Sequence, residues 1–281
     1  MLRNSLEKVG SGIKLIRVKH WIKNLFVFVP LFFSNSLTNK NLILAAIAAF
    51  AAFSLGSSII YVINDIVDRE KDKMHPKKKN RPIASGKITI KEGIGIVLLL
   101  VLIEAGLFLY NGKNVNLVVA AYVLMNFLYS VKLKNVVLVD VFVIAFGFIF
   151  RVMAGAFAIN VVMSDWLLLT TFSISMFLGF GKRRNELLYS DGKNSTRKVL
   201  EKYRMGAIDS YMNMFLSITI VFYSLYAIDM HKKGIYMAAT VPLVIYGMLR
   251  YNLLLHYSDN SGDPTDVVLK EIGRASCRER V

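Results

Sequence analysis

Cysteine is nearly absent: the 281-residue chain has one, Cys277, so it has no internal disulfide and its cysteine usage carries no mark of a redox compartment. Histidine is scarce too, and His20, His75, His231 and His256 are too scattered for zinc-ligand spacing. Acidic charge is thin, with 19 Asp and Glu against 35 Lys and Arg, for a net charge of +16. Charged residues make up 19% of the chain, where a soluble domain carries roughly 25%. Neither a phosphate-cradling G-x-x-x-x-G-K-[ST] loop nor a G-x-S-x-G nucleophile elbow occurs, which removes P-loop and serine-hydrolase chemistry. Nothing resembles a cleavable signal peptide, because the first 20 residues are basic and polar and no small-residue cleavage site follows the first apolar run.

Hydrophobic sequence, by contrast, is abundant: 55% of the residues, with a mean hydropathy of +0.48. A bilayer-crossing helix needs roughly 20 predominantly apolar residues. Such runs predict eight spans, at 22–36, 42–63, 93–110, 115–131, 136–157, 164–181, 209–229 and 234–256. The fold class expected is an all-α polytopic membrane protein. Lys and Arg fall on alternate loops, 26 on one side and four on the other, so the positive-inside rule puts the N-terminus and the long loops 65–92 and 182–208 in the cytoplasm. A charge of +16 on a soluble protein would suggest nucleic acid. Here it is read as topology, and no nucleic-acid partner is expected.

The terminal stretch EIGRASCRERV, residues 271–281, resembles the in-frame translation of a sequencing adapter and continues no pattern of the preceding chain. The expected division is a transmembrane domain over 1–270 and a non-native tail over 271–281, with the native C-terminus missing.

Acidic residues cluster at one place. The second span ends Asn64-Asp65-Ile66-Val67-Asp68-Arg69-Glu70-Lys71-Asp72. On a continuing helix Asp65, Asp68 and Asp72 share one face, where three carboxylates repel unless a cation lies between them. Hard oxygen donors suit Mg²⁺, which keeps waters and bridges to substrate phosphates. The bland alternative is a solvated helix end. Lys77, Lys78, Lys79 and Arg81 follow, and carboxylates next to a basic cluster are what a metal–diphosphate site needs; Lys77 and Arg81 are the candidates for it. After the sixth span, Lys182, Arg183, Arg184, Asn185 and Glu186 form either an opposing wall of such a site or a positive-inside stop. Lys23, with Asn24, enters the first apolar run, where it either snorkels to headgroups or contacts phosphate. Asp140, Arg151 and Glu104 are charged at membrane depth; Asp140 lies near enough to the cytoplasmic end of its span to join the site.

NDIVDREKD matches the NDxxDxxxD signature of the UbiA superfamily of intramembrane prenyltransferases, and RPIASG matches the segment that follows it there. The resemblance implies a bundle of nine transmembrane helices around a lipid-accessible cavity, so the ninth would be missing. It also implies Mg²⁺ held by Asp65, Asp68 and Asp72. WIKNLFVFVPLFFS, HPKKKNRPIASG, LVDVFVIAFGFIFRVMAGA, GKRRNEL and GDPTDVVL look like the decaprenyl-phosphate phosphoribosyltransferase branch. That branch implies transfer of 5-phosphoribose from phosphoribosyl pyrophosphate to a polyprenyl phosphate. Asn64, Lys23, Asn24, Lys77, Arg81, Asp140, Lys182, Arg183, Arg184 and Glu186 would then contact substrate. Ordinary superfamily members carry a second Asp-rich motif where this chain has Lys182 to Glu186, which fits a site holding more phosphate and less metal. The alternative is prenyl transfer from a prenyl diphosphate to an aromatic or other acceptor.

Overall fold

The computed structural model describes residues 2–34, 36–75, 78–188, 200–232 and 237–257, and among these every regular element is a helix. Lys77, the GDPTDVVL segment and the 271–281 tail with Cys277 lie outside the described residues. The chain divides into two compact units, Met1–Val131 with Phe150–Met163, and Lys132–Ile149 with Ser164–Val281.

The first unit is organised on α3 (Lys40–Val67), whose N-terminus is capped by the Asn39 side chain accepting from the backbone of Asn41 and Leu42. Small residues along α3 let its neighbours approach closely. Gly56 is one: a Cβ there would come within 3.1 Å of Val123 and 3.4 Å of Val119 on α6 (Lys113–Val131). Ala49, Ala52 and Phe53 of α3 pack with Val27, Val115, Val118, Val119, Tyr122 and Ala154. A second cluster joins Leu15, at the end of α1 (Leu2–Leu15), to Val62, Ile83 and Ile88. The helix α5 (Ile90–Tyr110) starts with a capping box, in which Thr89 and Glu92 satisfy each other's backbone N–H groups.

The expected first span, 22–36, is not one α-helix. Residues Val18–Phe28 form an eleven-residue 3₁₀ helix, and α2 (Val29–Phe33) begins only where Pro30, which has no N–H to give, suits a first turn. Runs of 3₁₀ beyond three or four residues are uncommon, so something outside the segment holds this one. Its residues at spacing three face α3: Trp21 Nε1 donates to Ser58 Oγ at 3.1 Å, Asn24 Nδ2 to Ser54 Oγ at 3.0 Å, and Val27 enters the cluster with Ala49 and Phe53. Three residues of 3₁₀ helix and four of α-helix both rise about 6 Å, so the two keep register.

Gly155, in the part of α7 (Val139–Ala158) that belongs to this unit, lies against that segment, and a Cβ there would run into the Val27 carbonyl oxygen. Gly155→Ala is therefore expected to lower the thermal midpoint of the detergent-solubilised protein, at a cost of about 1–3 kcal/mol for overpacking. Gly106→Ala on α5, where the added methyl meets nothing within 4 Å, is the control. Equal midpoints for the two variants would refute the contact.

The second unit contains the first turns of α7, α8 (Asp165–Leu188), α9 (Met205–Lys232) and α10 (Val241–Tyr257). Its core gathers Val141, Met176, Phe177, Phe180, Ile208, Met212 and Leu255, with Phe180 stacked on Phe215. Gly179 makes room for Val141, and Gly181 for Leu255. The expected sixth span, 164–181, matches the first part of α8, but the helix continues past residue 181 through Lys182 and Glu186 to Leu188.

Among the described residues, six helices are long and apolar enough to cross a bilayer: Lys40–Val67, Ile90–Tyr110, Lys113–Val131, Val139–Ala158, Met205–Met230 and Ala238–Leu255. On α5, Leu98, Leu99, Leu102, Phe108 and Leu109 are each more than half exposed. A contiguous apolar face of that kind has hydrocarbon as its natural solvent. The chain is a multi-pass membrane protein.

Candidate functional site

The Asp-rich sequence does not continue as one helix. α3 ends at Val67, Asp68 takes φ −87° and ψ 6°, and a short α4 (Arg69–Lys73) follows, bridged to α3 by Asp68 N to Asn64 O and Asp72 N to Asp68 O. Asp65 and Asp72 are both buried, at 2% and 3% exposure, while Asp68 and Asn64 are partly exposed.

Two arginines meet these carboxylates. Arg17 Nη2 lies 2.6 Å from Asp65 Oδ1. Arg81 Nη1 lies 3.1 Å from the same oxygen and 2.6 Å from Asp72 Oδ2, so a single guanidinium nitrogen bridges two carboxylates 7 positions apart in the chain. Both contacts are charge-assisted and lie where little water competes. Arg17 is not a residue that sequence reasoning singled out. It sits between α1 and the 3₁₀ segment in a left-handed conformation (φ 54°), stacked 4.7 Å over the Tyr61 ring. For a residue with a Cβ that conformation costs about 1–2 kcal/mol, which the Asp65 pair and the ring contact offset.

Among the described residues, no three Asp, Glu, His or Cys side chains come together as metal ligands. The single helical face expected to carry all three carboxylates does not form, because the helix breaks at Asp68; Asp65 and Asp72 are the two that Arg81 bridges. Mg²⁺ is commonly held by one or two carboxylates, with water and substrate phosphates completing its shell. The Asp65–Asp72 pair, already bridged by one cationic nitrogen, fits an ion of that kind.

Deeper in the same unit, Asn24 is 1% exposed and divides its amide between Ser54 and Arg151, whose Nε donates to Asn24 Oδ1 at 2.7 Å. Arg151 also donates to Tyr122 Oη at 3.1 Å and lies over the Tyr122 and Phe53 rings. Asn24 thus fixes the 3₁₀ segment to α3 and α7. Lys23 beside it is partly exposed. Glu104 lies on α5 with Oε2 buried and without a hydrogen-bond partner among the described residues, and nothing in the structure explains it.

In the second unit, Arg183 is 1% exposed, with Nε 2.5 Å from Asp140 Oδ2 and Nη1 2.5 Å from Glu186 Oε2. Asp140, fully buried, also accepts from Tyr203 Oη at 2.9 Å, and Tyr203 Oη in turn accepts from the Leu138 backbone N–H. Burial pushes the Tyr203 hydroxyl's pKa up, so it stays protonated and keeps donating to Asp140. Arg184 binds Asp209 at 2.7 Å and the Leu255 carbonyl at 2.9 Å. The structure therefore places Arg183 and Arg184 in buried networks that tie α8 to α7, α9 and α10. Lys182 and Glu186 are partly exposed.

A model of the UbiA prenyltransferase family matches residues 25–267. The chain belongs to the UbiA prenyltransferase family. This UbiA-family enzyme is 30% identical to the decaprenyl-phosphate phosphoribosyltransferase of Corynebacterium glutamicum over 92% of the chain and 80% of that relative. It is 29% identical to the protein of the same name from Mycolicibacterium smegmatis, over 94% of the chain and 87% of the relative. In structure, it resembles a UbiA homolog from Archaeoglobus fulgidus bound to DMAPP and Mg2+, with a TM-score of 0.74 at 15% identity, covering 92% of this chain and 94% of the other. The UbiA fold, expected from NDIVDREKD and RPIASG, is thereby shown.

Proposed function

We propose that this enzyme transfers 5-phosphoribose from phosphoribosyl pyrophosphate to a polyprenyl phosphate of the decaprenyl type, with Mg²⁺, at the cytoplasmic face of the inner membrane. The observation that carries this reading is the near-full-length similarity to two decaprenyl-phosphate phosphoribosyltransferases, joined to a buried carboxylate pair beside arginines. The loop charges, 26 on one side and four on the other, support the cytoplasmic orientation.

In the reaction, an oxygen of the lipid phosphate bonds to the ribose anomeric carbon, the bond from that carbon to the pyrophosphate breaks, and pyrophosphate leaves with its electrons. The lipid phosphate is ionised at neutral pH, so no strong base is required. Asp65 and Asp72, with Asp68 beside them, would hold Mg²⁺, which supplies positive charge to the leaving pyrophosphate. Arg81 and Lys23 lie on the same unit as donors for phosphate oxygens, and orienting both phosphates is the larger part of the chain's work. Lys182 and Glu186 remain candidates for substrate contact. Arg183 and Arg184 act best as ties that fix the C-terminal part of α8 to α7, α9 and α10.

The test is label transfer. Membranes carrying the protein are incubated with Mg²⁺, phosphoribosyl pyrophosphate labelled in the ribose, and decaprenyl phosphate. Label is expected in the organic phase, and chelation by EDTA is expected to stop it. The homolog bound to DMAPP and Mg2+ favours a second reading, with a prenyl diphosphate as donor on the same carboxylates. Transfer from a prenyl diphosphate to 4-hydroxybenzoate, with none from phosphoribosyl pyrophosphate, would select it.

A further inference from the structure

We infer that Arg81 occupies the cation position between Asp65 and Asp72 until a divalent ion takes it, and that the displaced guanidinium then becomes a ligand for the arriving diphosphate. This rests on the reading above, in which the two carboxylates hold Mg²⁺.

The geometry separates the two arginines. Arg17 reaches Asp65 alone, whereas Arg81 Nη1 is within bonding distance of both Asp65 and Asp72. That nitrogen therefore stands where a cation shared by the two carboxylates would stand. Two buried carboxylates without a bridging cation would repel each other and lose hydration at once, and Arg81 supplies that cation. A divalent ion bridging the same two carboxylates would stand where that nitrogen stands, and cations of +2 and +1 at that spacing repel, so the guanidinium gives way.

The backbone of Arg81 is not free to follow its side chain. Arg81 N donates to Lys78 O, Ser85 N donates to Arg81 O and Ile88 N to Pro82 O, while Ile83 is anchored in the cluster with Leu15, Val62 and Ile88. Its side chain, however, is 27% exposed on a long flexible stem. Movement is therefore confined to the guanidinium, which swings from carboxylate to phosphate about a fixed Cα. A bare metal ion gains only what it takes from Arg81. A metal–diphosphate complex also offers the released guanidinium new oxygens, ideally in the two-bond fork that arginine favours. Metal and donor are then coupled through one side chain.

The experiment is a Mn²⁺ titration of the purified full chain in detergent without substrate, reading free Mn²⁺ by electron paramagnetic resonance. Arg81→Gln is expected to bind Mn²⁺ about tenfold more tightly than the unaltered protein, equivalent to about 1.4 kcal/mol, while its KM for phosphoribosyl pyrophosphate rises. Lys79→Gln, which removes the same charge from an exposed neighbour, is expected to change Mn²⁺ affinity by less than twofold. Arg81→Lys keeps the charge on a shorter reach; it should tighten Mn²⁺ binding to a smaller degree, and it serves if Arg81→Gln does not fold. Equal tightening by Arg81→Gln and Lys79→Gln would mean a diffuse charge effect and overturn the inference, as would unchanged or weaker binding in Arg81→Gln. Loss of Mn²⁺ in Asp65→Asn and Asp72→Asn with no change in Arg81→Gln would leave the metal reading standing without the inference. No Mn²⁺ bound by any form of the protein would remove both.

Discussion

Asp72→Asn and Asp65→Asn are each expected to cut transfer by about 10²–10³-fold, the scale of removing one electrostatic contact to charge that develops on a leaving group. Each change swaps a carboxylate oxygen for an amide of the same size, so packing around these buried positions is kept. The charge is not. In Asp72→Asn, Arg81 keeps Asp65 and, with a partly exposed side chain, turns toward water at little cost; in Asp65→Asn, Arg17 loses its carboxylate too, so that variant is expected to give up more stability of the two. Stability should fall much less than activity. The check is kcat and KM on membranes, with the thermal midpoint of the same protein in detergent. A loss below tenfold, or a midpoint that collapses in step with the rate, would show that the pair is a structural clamp. Asp68→Asn makes the informative comparison, since Asp68 stands at the helix break, outside the Arg81 bridge.

Arg183→Ala is expected to have the largest effect on stability. Its guanidinium is buried and meets two carboxylates, and deleting one partner of a buried pair costs about 3–5 kcal/mol because the other charge is left unmatched. Asp140 would remain in a site with no exposure, held among the described residues by Tyr203 alone. The prediction is a sharp loss of monodisperse protein on size exclusion after mild heating. The double variant Asp140→Leu with Arg183→Met removes both charges together, and it should recover much of that loss. If Arg183→Ala instead stays as stable as the unaltered protein but binds the donor poorly, Arg183 is a phosphate ligand and not a strut.

The long helices were legible because apolar length is a local property. α3 was expected at 42–63 and runs Lys40–Val67, its start marked by Asn39, whose side chain favours a helix N-terminus. The clustering of carboxylates in the acidic run was legible, but its internal geometry was not. Whether Asp68 continues the helix depends on the loop that returns Arg81 to Asp72, nine residues further on. Residue pairing across sequence had no signal at all. Arg17 meets Asp65 from 48 residues away, and Arg151 meets Asn24 from 127. The basic triplet Lys182-Arg183-Arg184 reads from sequence as a wall of the site or a positive-inside stop, and only the arrival of Asp140 and Asp209 from other helices gives two of its members carboxylate partners. The 3₁₀ segment failed for a related reason: its apolar residues resemble any short span, and the serines that hold it belong to α3.

That segment carries its own ruler. Because three of its residues match four of α3, one inserted or deleted residue between Val18 and Phe28 would move Trp21 or Asn24 off its serine and turn the stripe aside. Length there can change smoothly only by whole turns, in threes on one side against fours on the other. In related chains, a Trp-x-x-Asn pair should therefore travel with a pair of small hydroxyl residues four apart, and the two should be kept or lost together.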